Sequence, residues 1–302
     1  MQKLITGLTS RLVIAVPYLW LLVLFLIPFF IVFKMSLSQV AMAIPAYSPA
    51  FNFTDSFAEI WAKVKQLSFD NYFWLLEDAL YYKAYLSSLK IALISTALTL
   101  LIGYPMAYGI ARSPLKHRPM LLMMVILPFW TSFLIRVYAW IAILKPEGLL
   151  NQFLIWANII DTPLIILNTD TAIYIGIVYS YLPFMVLPLY AALEKMDHSL
   201  IEAAQDLGCP PLAAFWKITF PLSLSGVAAG CFLVFIPAMG EFVIPDLLGG
   251  SQTLMIGKTI WSEFFSNRDW PVASAVAVVL LLILIVPIVI FQKMQARMQE
   301  KG

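Results

Sequence analysis

Ser199-Leu-Ile-Glu202-Ala203-Ala204-Gln-Asp206-Leu-Gly208-Cys209-Pro210-Pro211, running on to Phe220-Pro221, is a polar island between two long apolar segments. Ser199 and Glu202 have the spacing of a capping box, in which the serine oxygen accepts the N3 amide and the glutamate accepts the cap amide. Gly208 stands where a helix end wants a positive φ, and Pro210 just beyond it acts as a stop. The spacing predicts a helix of about two turns, ~12 Å long. Pro211 is placed to open a second helix, on which Leu212, Phe215, Trp216 and Thr219 share one face at i, i+3, i+4, i+7. Capped hairpins are common, and Glu202 read alone is a capping carboxylate as readily as a contact for a partner.

The flanks of this island decide the fold class. The chain has 302 residues, 62% hydrophobic and 12% charged, with a mean hydropathy of +0.88. Soluble domains run near 45–50% apolar and about 25% charged, so this is an all-α integral membrane protein in expectation. Six predicted spans cover 14–36, 85–110, 120–144, 171–193, 222–246 and 272–291, since about 20 apolar residues cross the hydrocarbon core. Helices follow because lipid offers no partner to unpaired backbone groups. Lys3, Arg11 and Ala41-Met-Ala43 mimic the flanks of a signal peptide, but the first apolar run exceeds an h-region of roughly 7–15 residues. It is expected to be an uncleaved span. Residues 37–84, with Asp55, Glu59, Asp70, Glu77 and Asp78, form a sizeable insertion outside the bilayer.

Orientation follows from Lys and Arg. Segments 1–13, 111–119, 194–221 and 292–302 hold ten, whereas the longer set 37–84, 145–170 and 247–271 holds six. The first set, both termini and the hairpin are therefore expected in the cytoplasm, with 37–84 outside it. A formal net charge of +2 gives no reason to expect a nucleic-acid partner. Cys209 and Cys231 form no framework and read as free thiols.

Two charges lie within predicted spans. On unbroken helices Arg136 would stand ~24 Å and Glu241 ~28 Å from the inner end. Intramembrane charges usually face a partner or a water-filled path. Glu241 reads either as lining a cation path or as one half of a structural pair with Arg136, whose long stem also suits snorkelling. Pro237 and Gly240, just before Glu241, loosen that helix as a gate or hinge would. Pro128, Pro183 and Pro188 are expected to interrupt two other spans. Trp130, Tyr138 and Tyr181, with Trp140 and Tyr179, read as interfacial anchors or as π faces for an ammonium. His117 and His198 are too isolated for a metal or a triad. The chain carries no G-x-x-x-x-G-K-[ST] phosphate loop, so no cofactor and no enzymatic activity of its own are expected.

Glu202-Ala203-Ala204 with Gly208, Ile218 and Pro221 resembles the EAA loop of ABC-importer permeases. Pro128-Phe-Trp130-Thr, Leu134-Ile-Arg136-Val-Tyr138, Tyr181-Leu-Pro183-Phe-Met-Val-Leu-Pro188-Leu-Tyr190, Pro237-Ala-Met-Gly240 and Asn267-Arg268-Asp269-Trp270-Pro271 widen the likeness. As a set, over roughly residues 12–292, they resemble the permeases of bacterial spermidine/putrescine ABC importers, and Gly240-Glu241-Phe-Val-Ile-Pro245 resembles the putrescine branch. Cys209-Pro210-Pro211 departs from the family pattern after the glycine.

The resemblance implies a type I (MetI-like) importer permease in the bacterial inner membrane. Its core would cover 85–291, with the coupling loop at about 194–221. Glu202, Ala203, Ala204, Asp206 and Gly208 would dock on an ATPase. The implied partners are a second homologous permease, two ABC ATPase subunits and a periplasmic polyamine-binding protein. An importer of another small cationic or organic solute is the alternative. A secondary transporter, a channel, an intramembrane enzyme and a membrane-anchored sensor stand further behind.

Overall fold

The structure is a computed structural model that describes residues 2–52, 54–197, 199–251 and 253–299, with side chains from residue 13 onward except at 291 and 294–299. His198, Lys301 and the side chains of Lys3, Arg11 and Arg297 lie outside the described residues. In chain order the helices are α1 (Gln2–Ser36), α2 (Phe57–Val64), α3 (Asp70–Glu77), α4 (Ala79–Arg112), α5 (Arg118–Ile126), α6 (Phe133–Leu144), α7 (Leu149–Trp156), α8 (Asp170–Glu194), α9 (Ser199–Asp206), α10 (Pro211–Ala214), α11 (Phe220–Leu222), α12 (Leu224–Met239), α13 (Val243–Leu247), α14 (Ile256–Trp261) and α15 (Trp270–Gln299). One small ribbon departs from the all-helical expectation: β1 (Gln39–Val40) pairs antiparallel with β2 (Tyr47–Ser48), Gln39 opposite Ser48.

Four helical stretches are long and apolar enough to cross a membrane: Val13–Ser36, Ala79–Arg112, Asp170–Glu194 and Trp270–Ile290. Two bent pairs are long and apolar enough only when each is taken together, Arg118–Trp130 with Phe133–Trp156 at 90° and Pro211–Leu222 with Leu224–Met239 at 64°. The expected continuous helix over 120–144 is therefore corrected. Pro128 brings no amide to the helix ladder, and Leu127–Trp130 tightens into a 3₁₀ turn. The Thr131 hydroxyl donates to the Pro128 carbonyl at 2.8 Å, and Ser132, in an extended backbone, starts α6.

The expected regular helix over 222–246 is corrected as well. Pro237 lies in the last turn of α12, where the amides of Gly240 and Glu241 close i→i−3 bonds on Pro237 and Ala238. Pro237 and Gly240 thus sit at the end of this helix, and Glu241 falls outside it. The ~24 Å and ~28 Å depths lose their basis, because both assumed an unbroken rise. Conversely, Pro183 and Pro188 do not interrupt α8, which runs unbroken from Asp170 to Glu194. Membrane helices tolerate proline where neighbouring groups satisfy the freed carbonyls. The second span begins at Ala79 rather than 85, because the Asp78 carboxylate accepts the Leu80 amide at 2.8 Å and starts the helix there.

The chain divides into two compact units, residues 1–82 with 260–282, and 83–259 with 283–302. In the first, Asn71 donates to the carbonyls of Ser36 and Ser38 at 2.8 Å each, tying α3 to the end of α1. The Lys34 ammonium lies over the rings of Tyr47 and Phe51 and bonds the Pro49 carbonyl. Tyr81 donates to Glu263 at 3.1 Å, and Phe264 stacks on Trp270. In the second, α8 is the central element. Its Met185, Val186, Leu189 and Leu193 form a core with Tyr104, Ala107 and Ile110 of α4, Val125 of α5 and Val234 of α12. α12 crosses α8 closely because Gly226 has no side chain: a Cβ there would lie 2.6 Å from the Ala192 Cβ and 2.8 Å from the Pro188 carbonyl oxygen. Small residues permit such approach in lipid, where packing rather than water exclusion holds helices together.

Candidate functional site

The polar island folds as the expected pair of short helices, with one local correction. Ser199 lies in the first turn of α9, and its amide donates to the Asp197 carboxylate at 2.9 Å. Among the described residues no bond joins Ser199 to Glu202. An aspartate two residues ahead of an amide reaches it by a local turn, and this replaces the expected box. A complete capping box does occur elsewhere, between Ser56 and Glu59 at the start of α2.

The other end of α9 follows expectation. Gly208 has φ +84°, its amide bonds the Gln205 carbonyl at 2.8 Å, and the Cys209 amide bonds Ala204 at 2.9 Å. These two bonds are a Schellman closure. Pro210 then caps α10, which Pro211 opens from its first position. Phe215–Thr219 widens into a π turn, closed by the Phe220 amide on the Phe215 carbonyl. Pro221 lacks an amide and its ring crowds the carbonyl four residues back, which favours the wider turn. The expected single face therefore splits. Phe215 stacks edge-on against Tyr104 and Tyr108, and Thr219 is buried, whereas Leu212 and Trp216 are exposed.

Only Ile201 anchors α9 as a buried side chain. Glu202, Ala203 and Asp206 are exposed with Gly208, and Ala204 is half-buried. Leu200 is also exposed, and Leu207 is 89% exposed. Glu202 further lines a cleft of about 390 Å³ with Arg112, Tyr108, Gln205 and Phe215. Nearby, Arg118 pairs with Glu194 at 3.5 Å, and the Tyr190 hydroxyl donates to the same carboxylate at 2.6 Å.

A second cleft, of about 470 Å³, opens among α6, α8 and the end of α12. Arg136, Tyr181, Pro237, Gly240 and Glu241 all line it. Glu241 is 7% exposed. Its Oε1 accepts the amides of Phe242, Val243 and Ile244 at 3.1, 3.0 and 3.4 Å, at the N-terminal end of α13. Its Oε2 accepts the Tyr181 hydroxyl at 2.5 Å. The carboxylate thus satisfies amides a helix start leaves unpaired, and its charge suits that end of the helix.

Arg136 is 9% exposed and forms no ion pair with Glu241 among the described residues. The pairing weighed from sequence is absent because the carboxylate is already held by α13 and Tyr181. The guanidinium lies 4.8 Å from the Phe129 ring centre and 5.7 Å from that of Phe133. Among the described residues its Nε and Nη1, and the Ser180 hydroxyl in the same cleft wall, have no hydrogen-bond partner.

Trp130 and Tyr138 are not on this wall; they are 73% and 57% exposed. Tyr138 follows Arg136 by two residues on α6 and so lies on another side of that helix, and Trp130 ends the 3₁₀ turn before the break. Trp140 and Tyr179 pack on each other with centroids 5.3 Å apart. Sequence reasoning did not single out Phe129, Phe133, Ser180 and Phe184. The last two lie on the same α8 turn as Tyr181 and follow from its register once it is placed. The N-terminal role of Glu241 has a signal in Pro245, a residue that favours the first turn of a helix.

Four helical stretches long and apolar enough to cross a membrane, two bent apolar pairs, and the exposed short helix α9 between α8 and the second pair describe a multi-span membrane protein. The chain belongs to the family described as binding-protein-dependent transport system inner membrane component, whose model matches residues 3–298. It is 45% identical over 232 residues to the spermidine/putrescine transport system permease protein PotB of Escherichia coli, covering 77% of this chain and 84% of that one. Over 302 residues it is 38% identical to the PotB of Haemophilus influenzae, covering 99% of each. The crystal structure of a bacterial ABC transporter involved in the import of the acidic polysaccharide alginate contains a chain with the same fold. Its TM-score is 0.66 at 18% identity, covering 98% of this chain and 99% of that one. The fold is that of an ABC importer permease.

Proposed function

We propose that this chain is a permease subunit of an ATP-driven polyamine importer and forms half of the translocation path. The observation that carries the solute class is the 45% identity to a spermidine/putrescine permease over 232 residues. In this reading a second homologous permease completes the path, and two ABC ATPase subunits sit on the cytoplasmic side with both termini. A periplasmic polyamine-binding protein delivers solute on the side of residues 37–84. A structural relative bound to an alginate pentasaccharide-loaded periplasmic protein, at TM-score 0.67, supports that type of partner. The Gly240–Pro245 segment favours putrescine.

Coupling is assigned to α9. It is short, closed at Gly208 by two backbone bonds, and it presents Leu200, Leu207, Glu202 and Asp206 outward. Exposed leucines around a charged helix fit a docking surface better than a free one. ATP drives the cycle if it binds the outward-open state better than the inward-open one, since a ligand shifts an equilibrium only by its differential affinity. Pro237 and Gly240 would let the segment carrying Glu241 move. The rings of Phe184 and Tyr181 offer faces to an ammonium.

The test is uptake of labelled putrescine and spermidine into proteoliposomes holding the complete complex. Glu202→Ala should lower uptake about tenfold or more, within the range of ordinary coupling energies, with the protein inserted normally. Unchanged uptake would remove the docking role. Uptake of neither amine alongside transport of another solute would refute the polyamine reading.

A further inference from the structure

We infer that Arg136 receives a carboxylate presented at membrane depth by the second permease subunit. This rests on the two-permease reading above. A guanidinium does not give up its proton in a protein, so burial leaves Arg136 charged and in need of acceptors. Among the described residues the faces of Phe129 and Phe133 lie against it, and a ring face compensates a desolvated cation in part. Among the described residues Nε and Nη1 have no hydrogen-bond partner.

The one carboxylate lining the cleft does not fill the gap. Glu241 holds four donors, three amides and the Tyr181 hydroxyl. Among the described residues it makes no ion pair with Arg136. Ser180 adds a further unpaired hydroxyl on the same wall. What Arg136 lacks in this cleft is therefore an acceptor bonded to its guanidinium. A polyamine carries only donors and cannot be the missing group.

The occupant must also reach a cleft walled by α8, which is long and apolar enough to cross a membrane, and by halves of the two bent apolar pairs. That condition favours an acidic side chain on a membrane helix over a soluble peptide, and a carboxylate matches a guanidinium fork in two parallel bonds. Its arrival also changes the charge of the cleft. Arg136 and Glu241 sum to zero, and a second carboxylate leaves one net negative charge, which suits passage of an ammonium. The acid that makes the path attractive to cations is then contributed by the partner.

The experiment places a photoreactive benzoylphenylalanine at Phe133 in the complete complex, irradiates it and maps the adduct. The expected product joins this chain to the second permease within one helical turn of an Asp or Glu. Arg136→Gln should lower its yield about 30-fold, the lower range for truncating one member of a desolvated pair, and Arg136→Lys should retain most of it. An adduct on lipid, on this chain alone, or on a partner segment without an acid overturns the inference, as does a yield indifferent to Arg136→Gln. Adduct mapping reads assembly irrespective of the solute, so failure of the polyamine assignment shows separately in the uptake assay.

Discussion

The Tyr181–Glu241 bond invites a double-mutant cycle with Tyr181→Phe, Glu241→Gln and the pair together. The hydroxyl donates to Oε2 at 2.5 Å, a short charge-assisted bond of the stronger class. Such bonds contribute about 1.5–3 kcal/mol, so Tyr181→Phe should lower stability by that much. Glu241→Gln keeps a carbonyl for the three α13 amides but removes the charge from all four bonds, and should cost about as much or more. The double variant loses the shared bond once, giving a coupling of about 1–3 kcal/mol.

Unfolding in mixed detergent micelles, followed by tryptophan fluorescence, reads all four corners of this cycle. Strict additivity, with coupling under about 0.5 kcal/mol, would mean that the hydroxyl and carboxylate do not engage. Uptake measured on the same variants separates architecture from transport. If Glu241 mainly starts α13, uptake falls with stability. A raised KM at intact stability would instead make Glu241 a direct contact for the amine.

Gly208→Val should strain the end of α9 by about 1–2 kcal/mol, since a φ of +84° is unfavourable for L side chains even though nothing lies within 4 Å of the added Cβ. Faster hydrogen exchange at Leu207–Cys209 would report it, and unchanged exchange would contradict the Schellman assignment. Gly226→Ala should separate α12 from α8 and lower stability by about 1–3 kcal/mol, checked in the same micellar unfolding assay. Near the start of α2, the Asn52 amide and Lys63 lower the pKa of Asp55, and the Ser56 backbone and hydroxyl lower that of Glu59. Depressed carboxylate values mean that the stabilisation is present above the ordinary carboxylate range and is lost as pH falls through the lowered values. Hydrogen-exchange protection across Phe57–Val64, taken relative to the intrinsic exchange rate at each pH, should therefore fall at acid pH, and Glu59→Gln should flatten that dependence.

Hydropathy located the long apolar helices near 14–36, 85–110, 171–193 and 272–291, because apolarity is a property of each residue along the run. The apolar segment 171–193 became Asp170–Glu194 nearly residue for residue. Gly208 and Pro211 were equally legible: a positive φ and a missing amide are local constraints that act before any tertiary contact. The breaks were not. Pro128, Pro183, Pro188 and Pro237 are the same residue in apolar runs, yet α8 passes through two of them while the others lie at a break and at a helix end. At Pro128 the break is accompanied by a local bond, from the Thr131 hydroxyl to the Pro128 carbonyl, that hydropathy does not register.

By itself, then, the order of residues determined a greasy multi-span chain, a hairpin of two short helices closed by glycine and proline, and the resemblance to importer permeases. Each depends on neighbours within a few positions or on summed composition. Tertiary structure decided which charges meet. Arg136 and Glu241, read as a possible pair, share one cleft without bonding, because Glu241 is held by α13 and by a tyrosine sixty residues earlier in the chain. Hydrogen-bond partners at that separation are set by how helices pack, and no local pattern encodes them.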